Sequence, residues 1–95
     1  MTCGLTEEEL FVLHLLYSNR NLRSNRGYHS DKLNKLFQRK FGKDAEDTLR
    51  FLVNEGYLSR IGKTPPKYYI SDIPKAFFAL GQHGYSVTHG RIRIL

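Results

Sequence analysis

The chain has 95 residues, room for one hydrophobic core and not two. With 40% hydrophobic and 13% aromatic residues it should fold, and 15 Lys and Arg against 9 Asp and Glu give a net charge of +6 that favours anionic partners such as nucleic acid. The one cysteine, Cys3, excludes an internal disulfide and a cysteine-rich zinc site, while no apolar stretch approaches bilayer length and no basic leader precedes the first apolar run, so a reducing cytoplasm is the expected setting.

Thr6 followed by Glu9 has capping-box spacing, and EEELFVLHLLYS after it reads as a first helix over 7–18, with Glu7, Glu8 and Glu9 at its positive end. Leu10, Leu13 and Tyr17 share one face, extended by Phe11 and Leu15, and Val12 and Leu16 lie on the other side. Such a helix is apolar nearly all round, so it is either central or covered by a partner. Residues 19–29 read as a loop with room for a very short strand around Leu22. A second helix is expected over 31–40, capped by Ser30 and ended by Gly42, with Leu33, Leu36, Phe37 and Phe41 inward and Lys32, Lys35, Gln38 and Arg39 outward.

Asp44 is the expected cap of a third helix over 45–55. Ala45, Leu49, Leu52 and Val53 form its inner face, Phe51 its boundary, and Gly56 its stop. The alternating runs YLSRI at 57–61 and KYYIS at 67–71 predict a hairpin with Pro65 and Pro66 at its tip, since proline donates to no ladder. Asp72 can cap a short helix, IPKAFFAL, with Pro74 in its first turn and Gly81 and Gly84 breaking it. YSVT and RIRIL then read as a terminal hairpin turned at His89-Gly90. The order predicts an α+β fold: a three-helix bundle, a β-hairpin, a short C-terminal helix and a terminal β-hairpin. Residues 1–71 form the core and 72–95 a C-terminal extension.

Three helices followed by Gly-Tyr-Leu and a basic hairpin resemble the winged helix-turn-helix superfamily of DNA-binding proteins. The resemblance covers about residues 6–71. It is carried by LNKLFQRKFGKDAEDTLRFLVNEGYLSRIGKTPPKYYIS, and most of all by Leu49, Leu52, Glu55, Gly56, Tyr57 and Leu58 at the join of third helix and hairpin. It implies that the third helix is a recognition helix entering the major groove and that the hairpin is a wing. It also implies DNA binding and often transcriptional control, although winged helices serve as protein-docking modules too.

Charge is segregated along the chain. Between residues 20 and 43 eight basic residues meet only Asp31, a net +7, whereas Asp44, Glu46, Asp47 and Glu55 against Arg50 give the segment 44–55 a net −3. On a winged helix, Arg23, Arg26, Lys32, Lys35, Arg39 and Lys43 would touch phosphates, joined by Arg60, Lys63 and Lys67 on the wing. Arg50, Asn54 and Asp47 would face base edges: arginine pairs with guanine, asparagine with adenine, and a carboxylate accepts from cytosine. Glu46 and Asp47 also repel phosphate, so the alternative reading makes the same helix, with Phe51 as an anchor, a protein-docking face. A homodimer is expected to use Val12 and Leu16 of the first helix with Phe77 and Phe78 of the tail; packing of the tail within its own chain is the other option.

No enzymatic activity, metal or cofactor is expected. His14, His29, His83 and His89 form no ligand pair at metal spacing within a helix, and the eight glycines form no phosphate-binding loop. The partners implied are double-stranded DNA, a second copy of the chain and a possible protein partner, with no membrane.

Overall fold

The computed structural model describes residues 5–63, 65–83, 85–88 and 91–94. Cys3, Gly84 and the His89-Gly90 turn lie outside the described residues. The first helix, α1 (Glu7–Ser18), begins with the expected capping box: the Glu9 N–H donates to Thr6 Oγ1 at 3.3 Å, and the Thr6 N–H donates to Glu9 Oε1 at 2.9 Å. The elements that follow are β1 (Tyr28–His29), α2 (Ser30–Phe41), α3 (Glu46–Asn54), β2 (Leu58–Ile61), β3 (Lys67–Ile70), α4 (Ile73–Gln82), β4 (Tyr85–Thr88) and β5 (Arg91–Ile94). This is a winged-helix-like architecture: three helices, a hairpin of β2 and β3, an extra strand β1, and a C-terminal helix with a terminal hairpin.

The three-stranded sheet runs β1-β3-β2 and is antiparallel throughout. Tyr28, Tyr68 and Arg60 form one cross-strand row, and His29, Lys67 and Ile61 the next. Because strand side chains alternate, Leu58 and Ile70 share the face of the first row and are buried in the core, while the second row lies on the opposite face. In the terminal hairpin Tyr85 pairs with Ile94 and Val87 with Ile92.

The core joins all four helices to the sheet. Phe37, Leu13, Leu16, Leu33, Leu52, Leu58, Ile70 and Leu80 are its largest fully buried side chains. α1 runs through its centre and meets α2, α3, α4, β3 and β5. Val12 and Leu16, expected at a dimer interface, are completely buried within the chain itself and offer no surface to a second copy. Ala76, Ala79 and Leu80 of α4 belong to the same buried cluster, leaving Phe77 and Phe78 outside at 46% and 59% exposure. Lys75 ties α4 to α3: its ammonium donates to the Glu55 carbonyl and lies 4.6 Å from the centre of the Tyr57 ring.

Four local expectations are corrected. Ser30 is the first residue of α2 rather than its cap; His29 holds the cap position without a side-chain bond, and the Ser30 N–H donates to the Pro66 carbonyl at 3.0 Å. Asp44 does not cap α3. Its Oδ1 accepts from Asn34 Nδ2 at 2.8 Å and Gln38 Nε2 at 2.9 Å, and Asn34 Oδ1 in turn accepts from the Ala45 N–H at 2.9 Å. The short strand forms at Tyr28–His29, not around Leu22, because Asn21 folds the chain back: its Nδ2 donates to the Arg26 carbonyl at 2.7 Å and its own carbonyl accepts from the Ile70 N–H at 2.8 Å. Gly81 lies inside α4, which continues to Gln82; the Asp72 cap, donated to by the Lys75 N–H at 3.1 Å, is as expected.

Candidate nucleic-acid interface

The basic loop and the hairpin are distant in sequence but meet in the sheet. Pairing of β1 with β3 sets His29 opposite Lys67, and Gly27 packs so tightly there that a Cβ on it would lie 2.7 Å from the Lys67 Cβ. Asn21, only 9% exposed, shapes the loop that precedes this joint, and Arg20 takes a left-handed conformation at φ 58° to enter it. Arg20, Arg23 and Arg26 are exposed along the loop, and Lys63 and Lys67 are exposed on the hairpin. Gly62, at φ 77°, supplies the left-handed residue that turns the hairpin toward Lys63.

On α2, Lys32, Lys35 and Arg39 are exposed. Lys32 Nζ lies 5.8 Å from the centre of the Tyr28 ring, whose hydroxyl is pushed up from its ordinary pKa by burial. Two cations further along, Lys40 near the end of α2 and Lys43 just past it, are occupied differently. Lys40 Nζ sits 5.9 Å and 5.7 Å from the Phe11 and Phe41 rings, which pack edge to face with centres 5.6 Å apart. Lys43 pairs with Glu8 of α1 at 2.9 Å, and its hydrogen bond holds the Glu8 carboxyl below the ordinary carboxylate range. Among the described residues Lys43 and Arg50 are the cations in ion pairs with carboxylates; the rest of the 20–43 run has none.

Arg50 stands between two carboxylates of its own helix. Nη2 lies 3.3 Å from Glu46 Oε2 and Nη1 lies 3.5 Å from Asp47 Oδ1. These i,i+4 and i,i+3 contacts are in water, with the Glu46 and Asp47 side chains 75% and 96% exposed, so they hold the guanidinium weakly. A cleft of about 520 Å³ opens between α3, the N-terminal end of α2 and the sheet. Glu46, Arg50 and Asn54 line it from α3, Asp31 and Asn34 from α2, and Arg60, Pro66 and Tyr68 from the hairpin. Thus Arg50, Asn54 and Arg60 come together in one cleft. Asp47 stands outside it, as do Arg23, Arg26, Lys32, Lys35, Arg39, Lys63 and Lys67.

Tyr68 forms part of the cleft wall, in keeping with the alternation of Tyr68 and Tyr69, which turns one of the two tyrosines toward the third helix. One contributor escaped the sequence reading. Asn34 locks α2 to the start of α3; a polar residue between Leu33 and Phe37, half-buried on the inward side, was the signal there. What these side chains offer a partner is charge, hydrogen-bond donors and aromatic surface.

Among the described residues no group of three or more His, Cys, Asp and Glu could hold a metal ion, and no helix is long and apolar enough to cross a membrane. No protein-family model matches the chain, and no curated protein or solved structure is significantly similar to it.

Proposed function

We propose that the chain binds duplex DNA as a small transcriptional regulator of the cytoplasm, built on the winged helix-turn-helix plan. Arg23, Arg26, Lys32, Lys35 and Arg39 grip phosphates from the loop and α2, and Arg60, Lys63 and Lys67 do so from the hairpin. Lys43, which is exposed and pairs with Glu8, joins them by exchanging that partner for a phosphate. Arg50, Asn54 and Asp47 meet base edges. The observation that carries this reading is the pairing of β1 with β3, which sets an uncompensated basic loop beside the basic hairpin. Two adjacent cationic segments suit one polyanion better than two separate partners.

The test is binding to mixed-sequence duplex DNA across a salt series. Counterion release predicts tight retention near about 50 mM salt and a loss of orders of magnitude by about 200 mM. No binding at the lower salt would overturn the reading.

A second reading, a protein-docking module, rests on Phe51, which is 40% exposed one turn from Asp47 on α3. Self-association is proposed through Phe77 and Phe78 alone, the part of the expected dimer surface that lies outside the core.

A further inference from the structure

An exposed recognition face on a DNA-binding helix would be expected to be neutral or basic, yet α3 turns outward two carboxylates and one arginine, and the arginine is engaged with both. We infer that Glu46 and Asp47 act as a selectivity filter on Arg50, admitting α3 to duplex DNA where the major groove presents a G·C base pair and rejecting it elsewhere. The inference rests on the DNA-binding proposal and adds what decides the sequence preference.

The Glu46–Arg50–Asp47 contacts are wet, so little is lost when the guanidinium leaves them. The cost arises afterwards. Two carboxylates then face a polyanion with no other cation among the described residues paired to them. If Arg50 moves to a phosphate, both carboxylates are left against phosphate and repelled, so nonspecific seating of α3 is penalised. The penalty is offset only where the groove offers a donor.

In the major groove the amino groups of cytosine and adenine donate, whereas guanine O6 and N7, adenine N7 and thymine O4 accept. The arginine fork fits guanine O6 and N7, and the amino group of the paired cytosine lies next to that O6. One G·C pair therefore takes up Arg50 and gives a carboxylate its donor. An A·T pair can also give a carboxylate a donor, the adenine amino group, but that group stands between adenine N7 and thymine O4, so the fork finds no adjacent pair of acceptors and Arg50 is held by a single bond. The geometry of α3 supports the exchange, since Glu46, Asp47 and Arg50 lie within one turn. The affinity for DNA comes from the loop, α2 and hairpin cations, so this face can reject wrong sequences without abolishing binding.

The experiment selects sites from a random duplex library with the wild-type chain. It then measures affinity for the best site, for the same site with its G·C pair changed to A·T, and for random duplex. Variants are Glu46→Gln/Asp47→Asn, each single substitution, and Glu7→Gln/Glu55→Gln, which removes the same charge from exposed positions away from the Arg50 contacts. The wild type should lose roughly tenfold on the G·C-to-A·T change. The Glu46→Gln/Asp47→Asn variant should bind random duplex more tightly than the Glu7→Gln/Glu55→Gln control does, and its preference for the best site should fall roughly tenfold. An unchanged preference, or an equal gain in the control, overturns the filter while leaving DNA binding intact. Absence of wild-type binding at low salt overturns the DNA-binding reading itself and the filter with it. Thermal melting of each variant verifies the fold, and if the double variant does not fold, the single substitutions decide the matter with the same criteria.

Discussion

Gly27 and Lys67 touch across the joint between the basic loop and the wing: a methyl group on Gly27 would stand 2.7 Å from the Lys67 Cβ. Since the obstacle begins at a Cβ, no side-chain rotation relieves it, and the strands must part. Gly27→Ala should destabilise the chain by about 1–3 kcal/mol, as overpacking does, and should weaken duplex binding beyond that loss by displacing the loop from the hairpin. Denaturant unfolding and DNA affinity measured on the same variant check both parts. Lys67→Gly combined with Gly27→Ala should recover part of the stability in a double-mutant cycle.

Phosphate contacts and base contacts separate by their signatures. Lys35→Ala or Arg39→Ala should weaken binding to all duplexes alike and reduce the salt slope by about 1. Arg50→Ala should instead relax preference at one base pair, worth about 1–3 kcal/mol of discrimination. Equal losses on selected and random DNA in the Arg50→Ala variant would argue against base readout.

Burial divides the apolar residues first expected to share one dimer interface. Leu16→Ala should cost about 2–5 kcal/mol of stability through the cavity it leaves. Phe78→Ser, at a 59% exposed site, should change stability by less than about 0.5 kcal/mol. If Phe77 and Phe78 mediate self-association, the same variant shifts the light-scattering mass at high micromolar concentration from dimer to monomer; a monomeric wild type rejects that proposal.

The Asn34 side chain joins two helices with a single amide. Asn34→Ala removes the acceptor of the Ala45 N–H and a donor to Asp44. The expected cost is about 1–3 kcal/mol, that of a half-buried amide left without its partner. Amide exchange should accelerate first at the start of α3.

Burial lowers the pKa of His14 below the ordinary imidazole value. The unfolded chain therefore binds a proton that the folded chain resists, and stability rises with pH through that window. His14 contributes no penalty above about pH 6.5 and an increasing one as pH falls toward the folded value. His14→Phe should flatten the stability profile on the acid side of about pH 6.5. A wild-type slope retained in the variant would assign the effect to another group.

Local signals predicted the elements well and their junctions poorly. The Thr6–Glu9 box, Gly42 at φ 72° and the Asp72 cap all act within a few residues, so spacing reveals them. The starts of α2 and α3 are satisfied instead by Pro66 and Asn34, partners that only the fold brings near. A two-residue strand carries no periodicity, which hid β1 and with it the joint that unites loop and wing. The all-round apolar character of α1 left central burial and a partner's cover equally open; contacts with α2, α3, α4, β3 and β5 resolve it toward burial. Counting charge located the basic run but not the neutralisation of Lys43 by Glu8, which depends on where α1 begins in space.

The bond from the Ser30 N–H to the Pro66 carbonyl ties the wing to the start of α2. Swinging the hairpin outward would strip that helix of its first acceptor, so the protein resists adapting to grooves of different width. On the DNA-binding proposal the deformation falls to the nucleic acid. Sites with easily kinked pyrimidine–purine steps would then be favoured even at positions no side chain reaches.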